Sequence, residues 1–470
     1  MKKKYFTAGL CGALCLSLLA GCVENPKKDV VTSKNDGVFQ QNITVQATAP
    51  LDERLTYQDT FTSTDGTVTY TLDLDQELSS QPLPVVEVVP HYLTGEDVER
   101  VARAIFGDAE FYEQEAERDP KYSKQQLQEK INRLSSMVTQ EDLDEEVENI
   151  IKTYIQLYTT QMETAPEENP HAPCDWTFKP DSHYREDSLG DNVIKATVRA
   201  GDVEYNLLAT LRDRADYKMN QISVQVSDGQ SQFEIQYYFS KLCRTPKPTE
   251  EQIQAAREKA QGLLDNMGMG QWEVCEAGVQ EQTVNGAQEY QILVQAIPVF
   301  QVPALSGQRI NLTGSNATAS NYQTTEAFFY FSANGDLVFF GLNSPVDVKT
   351  VVNEEVAILP VEALMEKVKS HLSLTGVEET SEYFVMSSLY QEPMTCQVNL
   401  SKVEFGLARM KAPNQDDTYY YSPALKVYGS MNYYSKSTGE RLENLIHEDP
   451  NFLYDLVWIN AVDGSILESS

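Results

Sequence analysis

Three amphipathic helices, each followed by alternating strands, constrain this 470-residue chain more than any other feature. The segments that close the strand runs are alike. Phe329-Tyr330-Phe331-Ser332-Ala333-Asn334-Gly335-Asp336-Leu337-Val338 aligns without gaps to Trp458-Ile459-Asn460-Ala461-Val462-Asp463-Gly464-Ser465-Ile466-Leu467. In both, one strand runs into Asn-Gly or Asp-Gly and a second leaves it. Those dipeptides suit a two-residue type I′ turn, which needs positive φ at both central residues. A looser copy runs through Ile222-Ser223-Val224-Gln225-Val226-Ser227-Asp228-Gly229.

The first helix begins at Thr94-Gly95-Glu96-Asp97, with Val98, Val101, Ala102 and Ile105 at i, i+3, i+4 and i+7. The second begins at Pro248-Thr249-Glu250-Glu251-Gln252, where Thr249 and Gln252 have capping-box spacing. Ile253, Ala256, Ala260, Leu263 and Leu264 line its apolar face. The third begins at Pro360-Val361-Glu362 and continues through Leu364, Met365, Val368 and Leu372. A stripe of this width must lie on something, most simply a sheet. The expected fold is therefore α+β, in repeated units of a helix packed on a curved antiparallel sheet. The units span 51–245, 246–358 and 359–470. The first carries a helical hairpin at about 122–162, with Leu127, Ile131 and Leu134 facing Val147, Ile150, Ile151, Tyr154 and Leu157. Thr139 has the place of a cap for its second helix, and acids from Glu141 to Glu148 suit that helix's N-terminal dipole.

The N-terminus fixes location. Lys2, Lys3 and Lys4 precede an apolar run from Tyr5 to Ala20, too short to span a bilayer, which takes ~20 residues. Leu19-Ala20-Gly21-Cys22 then resembles a bacterial lipobox. It implies a signal peptide at 1–21, cleavage before Cys22 and acylation of that cysteine. Residues 22–50 read as a polar tether. The expectation is a lipid-anchored body on the extracytoplasmic face of the cell membrane. Two acyl chains suffice for stable anchoring. The formal charge of −33, about −36 once the signal lysines leave, argues against nucleic acid as a partner.

Chemical motifs are scarce. His171, Cys174 and His183 gather imidazole and thiol groups with Asp175 beside them, yet their spacing matches no closed zinc site. Pro170 and Pro173 mark an irregular connection there, so no metal and no cofactor are expected. No Gly-x-Ser-x-Gly elbow, His-Glu-x-x-His, Walker loop or dinucleotide fingerprint occurs, and no catalytic residue is assigned. Asp73 and Asp75 lack the rest of a calcium loop. Cys174, Cys243, Cys275 and Cys396 remain after processing and permit three disulfide pairings or none. For ligand binding, the candidates are Tyr419, Tyr420, Tyr421, Tyr433 and Tyr434, whose rings supply area and a polar tip.

The second and third units resemble PepSY-like domains, including the YycI-type regulators of envelope sensor kinases. The likeness rests on the leading Pro-x-Glu helices and on the closing strand Val457-Trp458-Ile459-Asn460-Ala461-Val462-Asp463-Gly464, and covers residues 248–470. With its lipobox and His171-Ala172-Pro173-Cys174-Asp175-Trp176, the whole chain also resembles a family of lipoproteins of Gram-positive, clostridia-like bacteria to which no activity is assigned. The resemblance implies a non-catalytic binding or regulatory module, whose partner is an envelope sensor kinase or peptidase. The alternatives are a solute-binding lipoprotein for glycan or peptide and, after it, an enzyme of unrecognised type.

Overall fold

The computed structural model describes residues 39, 41–47, 54–78, 83–114, 122–140, 145–168, 172–181, 191–200, 203–213, 218–227, 243, 246–270, 272–284, 287–298, 325–380, 383–412, 415, 417–442 and 453–469. In chain order the elements are β1 (Arg54–Thr62), β2 (Val68–Glu77), β3 (Val85–Pro90), α1 (Gly95–Phe106), β4 (Phe111–Glu113), α2 (Lys124–Gln140), α3 (Glu145–Met162) and β5 (Lys179–Pro180). There follow β6 (Asn192–Ala200), β7 (Val203–Asp213), β8 (Lys218–Ser227), α4 (Glu250–Met267), β9 (Trp272–Val284), β10 (Ala287–Pro298), β11 (Glu326–Phe331) and β12 (Leu337–Asn343). The last are β13 (Val346–Asn353), α5 (Val361–Leu372), α6 (Tyr383–Tyr390), β14 (Met394–Lys411), β15 (Tyr419–Ser435), β16 (Tyr454–Asn460) and β17 (Ile466–Ser469). The fold is α+β.

Among the described residues these strands make two sheets. A nine-stranded sheet runs β4-β6-β7-β8-β12-β11-β10-β9, with β5 on β6. Its halves meet where β8 pairs antiparallel with β12. Helix α1 precedes one half and α4 the other, and both lay their apolar stripes on one face: Val98, Val101 and Ala102 from α1, and Ala256, Ala260 and Leu264 from α4. Both helices begin with the reciprocal cap that their sequences encode, Thr94 with Asp97 and Thr249 with Gln252. An eight-stranded sheet runs β1-β2-β14-β15-β16-β17, with β3 bridging β15 and β13. Strands of the expected unit 51–245 thus enter both sheets: β1 and β2 join the C-terminal strands through a parallel pairing of 68–72 with 396–400. No local pattern encodes a partner that far along the chain.

Both aligned hairpins form, but neither is a two-residue type I′ turn. Ser332 N–H donates to the Asp336 carbonyl and Gly335 N–H to Ser332, enclosing three residues. Asn460 N–H donates to Ser465 and Gly464 N–H to Asn460, enclosing four. Only the glycines carry positive φ, 82° at Gly335 and 74° at Gly464, while Asn334 and Asp463 do not. Side chains select the wider loops. Ser332 Oγ accepts from the N–H groups of Asn334 and Asp336, and Asn460 Oδ1 accepts from Val462 N–H. The Asp228-Gly229 copy lies outside the described residues.

Alternation assigns the faces of the eight-stranded sheet. Leu55, Tyr70, Leu72, Val398, Leu400, Leu425, Val427 and Tyr433 point to one side, under Leu364, Met365, Val368 and Leu372 of α5. Tyr420, Ala424, Met410 and Trp458 point to the other, where Phe39 and Ile43 pack on them at 7% and 3% exposure. The chain read as tether to residue 50 is therefore already part of the body at Phe39. Asn353 Nδ2 donates to the carbonyls of Ile43 and Val45, and Gln46 bridges to Val356. Two apolar residues four apart in a polar stretch were too few to show periodicity.

The hairpin α2–α3 encloses its own cluster of Tyr122, Leu127, Leu134, Ile151, Tyr158 and Ala165, to which no strand contributes. Thr139 lies inside α2, where its hydroxyl donates back to the carbonyls of Ser135 and Ser136 instead of capping α3. Leu157, placed on the apolar face by its spacing, is 43% exposed.

Candidate interaction surface

The tyrosine candidates are mostly interior. Tyr419, Tyr421 and Tyr433 are at most 1% exposed and Tyr420 is 7% exposed. Tyr419 and Tyr421 pack with Val86, Val88, Leu407 and Ile297, where the end of β10 meets the eight-stranded sheet. Tyr433 shares a hydrogen bond with Thr380 Oγ1 at 2.8 Å. Rings buried on both sides offer no stacking platform. Tyr434 alone of the five is half-buried, on the face opposite α5.

Cys22, His171 and His183 lie outside the described residues. Cys174 is half-buried and its N–H donates to the Phe111 carbonyl, which ties the Pro-rich connection to β4. Burial, with the charges of Glu113 and Asp175 beside it, pushes its thiol up to about 12. Asp175 accepts from Thr177 and pairs with Lys179. The four cysteines 174, 243, 275 and 396 are thiols. Among the described residues no group of three or more His, Cys, Asp or Glu side chains converges to hold a metal ion. Burial also raises the Glu326 carboxyl above its ordinary range, while Asn343 Nδ2 and Gln295 Nε2 donate to it.

What the structure exposes instead is a short apolar helix. In α6, Tyr383, Met386, Ser387 and Tyr390 recur at i, i+3, i+4 and i+7. Met386 is fully buried, with Tyr383 and Tyr390 against the core under α5. The opposite face carries Phe384 at 79%, Val385 at 42% and Leu389 at 49% exposure, with Leu374 at 57% on the turn after α5. Full burial of one such side chain contributes ~1.5–3 kcal/mol, so this ridge leaves several kcal/mol unrealised in water.

The ridge is firmly mounted. Val377 N–H donates to Thr67 Oγ1, Thr380 Oγ1 donates to the Val377 carbonyl, and Tyr383 N–H donates to the Thr380 carbonyl. At its far end Gln391 takes φ of +52° and its N–H closes on the Ser387 carbonyl. The sequence signal was present in Tyr383-Phe384-Val385-Met386: an eight-residue helix apolar on both sides has one side too many for its own core.

The flanking sequence is acidic, although Lys436 N–H donates to the Pro393 carbonyl just past the end of α6. Between Lys369 and Lys402 there is no lysine or arginine, whereas Glu378, Glu379, Glu382 and Glu392 all fall there. No described helix is long and apolar enough to cross a membrane.

No family model matches this chain, and no curated protein matches it. Among solved structures it is similar to the crystal structure of an uncharacterized protein from Eubacterium rectale, at 11% identity and a TM-score of 0.33, covering 92% of this chain and 99% of that one. A score that low carries no argument about fold or function.

Proposed function

We propose that this chain is a lipid-anchored, extracytoplasmic binding or regulatory module of PepSY-like units that docks a protein of the envelope through α6. The exposed ridge of Leu374, Phe384, Val385 and Leu389 carries the reading. Apolar side chains exposed together, and held by a scaffold of hydrogen bonds, mark a contact surface more often than a solvated one. The partner class, a sensor kinase or peptidase, follows from the PepSY-like resemblance. The two halves of the nine-stranded sheet, each led by a capped helix, support the repeat reading of the first two units.

Anchoring at Cys22 brings such a partner within reach. Seventeen residues from Cys22 to Phe39 span at most about 60 Å when fully extended. The acidic run around α6 disfavours the bilayer itself as the occupant, because interfacial helices bind anionic lipid through Lys and Arg.

A photo-crosslinker in place of Phe384, in the lipidated protein in its own envelope, tests the reading. One recurrent membrane protein should be captured, and adding Leu389→Asp on the same ridge should weaken its recovery about tenfold or more with an unchanged melting midpoint. Crosslinks to lipid alone, or to nothing, refute it. Release of a Cys22→Ser protein into the soluble fraction checks the anchor separately.

A further inference from the structure

The face of the eight-stranded sheet turned away from α5 carries a second surface of different chemistry. Register places two rows of side chains across four strands. One row is Thr60, Thr71, Asn399 and Ser430; the next is Thr62, Thr69, Gln397 and Asn432. All eight are exposed or half-exposed, and Tyr434 extends the second row by one step along β15, opposite Thr395. Neighbouring strands stand about 4.8 Å apart and alternate residues about 6.8 Å apart, so the rows form a regular lattice of hydroxyl and amide groups.

The absence of charge is informative. Roughly a third of surface positions in a soluble protein are charged. In a chain of net charge −33 the contrast is sharper still. Charges resume one step further along β1 and β2, and there they are already engaged: Gln58 holds Asp73, and Arg54 grips Asp75 through two hydrogen bonds of 2.8 Å. Phe39 and Ile43 pack on this same face at its other end.

We propose that this lattice binds an uncharged linear polysaccharide, a ligand and a surface distinct from those assigned to α6. Amides and hydroxyls donate and accept in either sense, which matches sugar hydroxyls. The Tyr434 ring can cover the C–H face of one sugar. A neutral ligand avoids the repulsion that an acidic chain imposes on anionic wall polymers.

Cosedimentation of the full chain with chitin, with cellulose and with wall sacculi stripped of anionic polymer tests this, with unstripped sacculi as the anionic comparison. At least one should retain the protein. The near-isosteric pair Gln397→Glu and Asn399→Asp should weaken retention about tenfold, at an unchanged melting midpoint. Gln128→Glu on α2 adds a charge remote from the lattice and should leave retention alone. The proposal is overturned if none of the three polymers retains the chain, if the double variant is retained equally, or if only anionic wall polymer binds.

Discussion

Where β1, β2, β14 and the end of β15 pair, the two faces of the eight-stranded sheet are built from the same strands by alternate residues, and there they are chemical opposites. On β2, Leu72 is 1% exposed beneath α5 while Thr71, its chain neighbour, faces solvent. On β15, Tyr433 is interior while Asn432 and Tyr434 lie on the open side. A slip of one residue would exchange the faces. Register is therefore what separates a core from a surface here, set by the antiparallel ladders of β1 with β2 and β14 with β15 and by the parallel pairing of β2 with β14.

The largest test of that contrast is Leu72→Ala. Loss of a fully buried leucine typically costs ~2–5 kcal/mol, read as a shift in urea midpoint; a loss below about 1 kcal/mol would mean the covered face is not the core it resembles. A smaller effect concerns the covering helix. His371 on α5 has its charged form disfavoured by burial, so its pKa falls below the ordinary 6.5. Its Nε2 is buried without a hydrogen-bond partner among the described residues. The folded state then holds the neutral ring. Its contribution is complete above pH 6.5 and is lost as pH falls toward the depressed value. The melting midpoint should drop on acidification less steeply in His371→Leu than in the parent; parallel curves would remove His371 from the account. Smallest of all is Thr71→Ala, expected within about 0.5 kcal/mol of the parent. A loss comparable to that of Leu72→Ala would mean that the lattice is structural.

Much of the architecture was legible in local patterns. The capping pairs Thr94–Asp97 and Thr249–Gln252, the apolar stripes of α1, α4 and α5, and the existence of both aligned hairpins depend on residues within one or two turns of each other. The loop types were less legible. Asn-Gly and Asp-Gly suit positive φ at two positions, but the hydroxyl of Ser332 and the amide of Asn460 bond to loop N–H groups and favour wider turns. The tyrosine runs showed the limit in another way: an alternating aromatic strand reads the same whether one or both of its faces are covered. Both faces of Tyr419–Tyr421 are covered, by β10 on one side and Phe39 on the other.

By itself the sequence determined the α+β class, the positions of α1, α4 and α5, the caps of α1 and α4, and the lipobox expectation at Cys22. Those rest on short-range periodicity and hydrogen bonding, which a chain carries wherever it folds. Tertiary structure alone decided that β1 and β2 complete the C-terminal sheet, that Phe39 and Ile43 belong to the body, and which side of α6 is the exposed one among the described residues. Each depends on which distant segment supplies the opposing surface. That choice follows from the summed burial of the whole chain, and no local stretch records it.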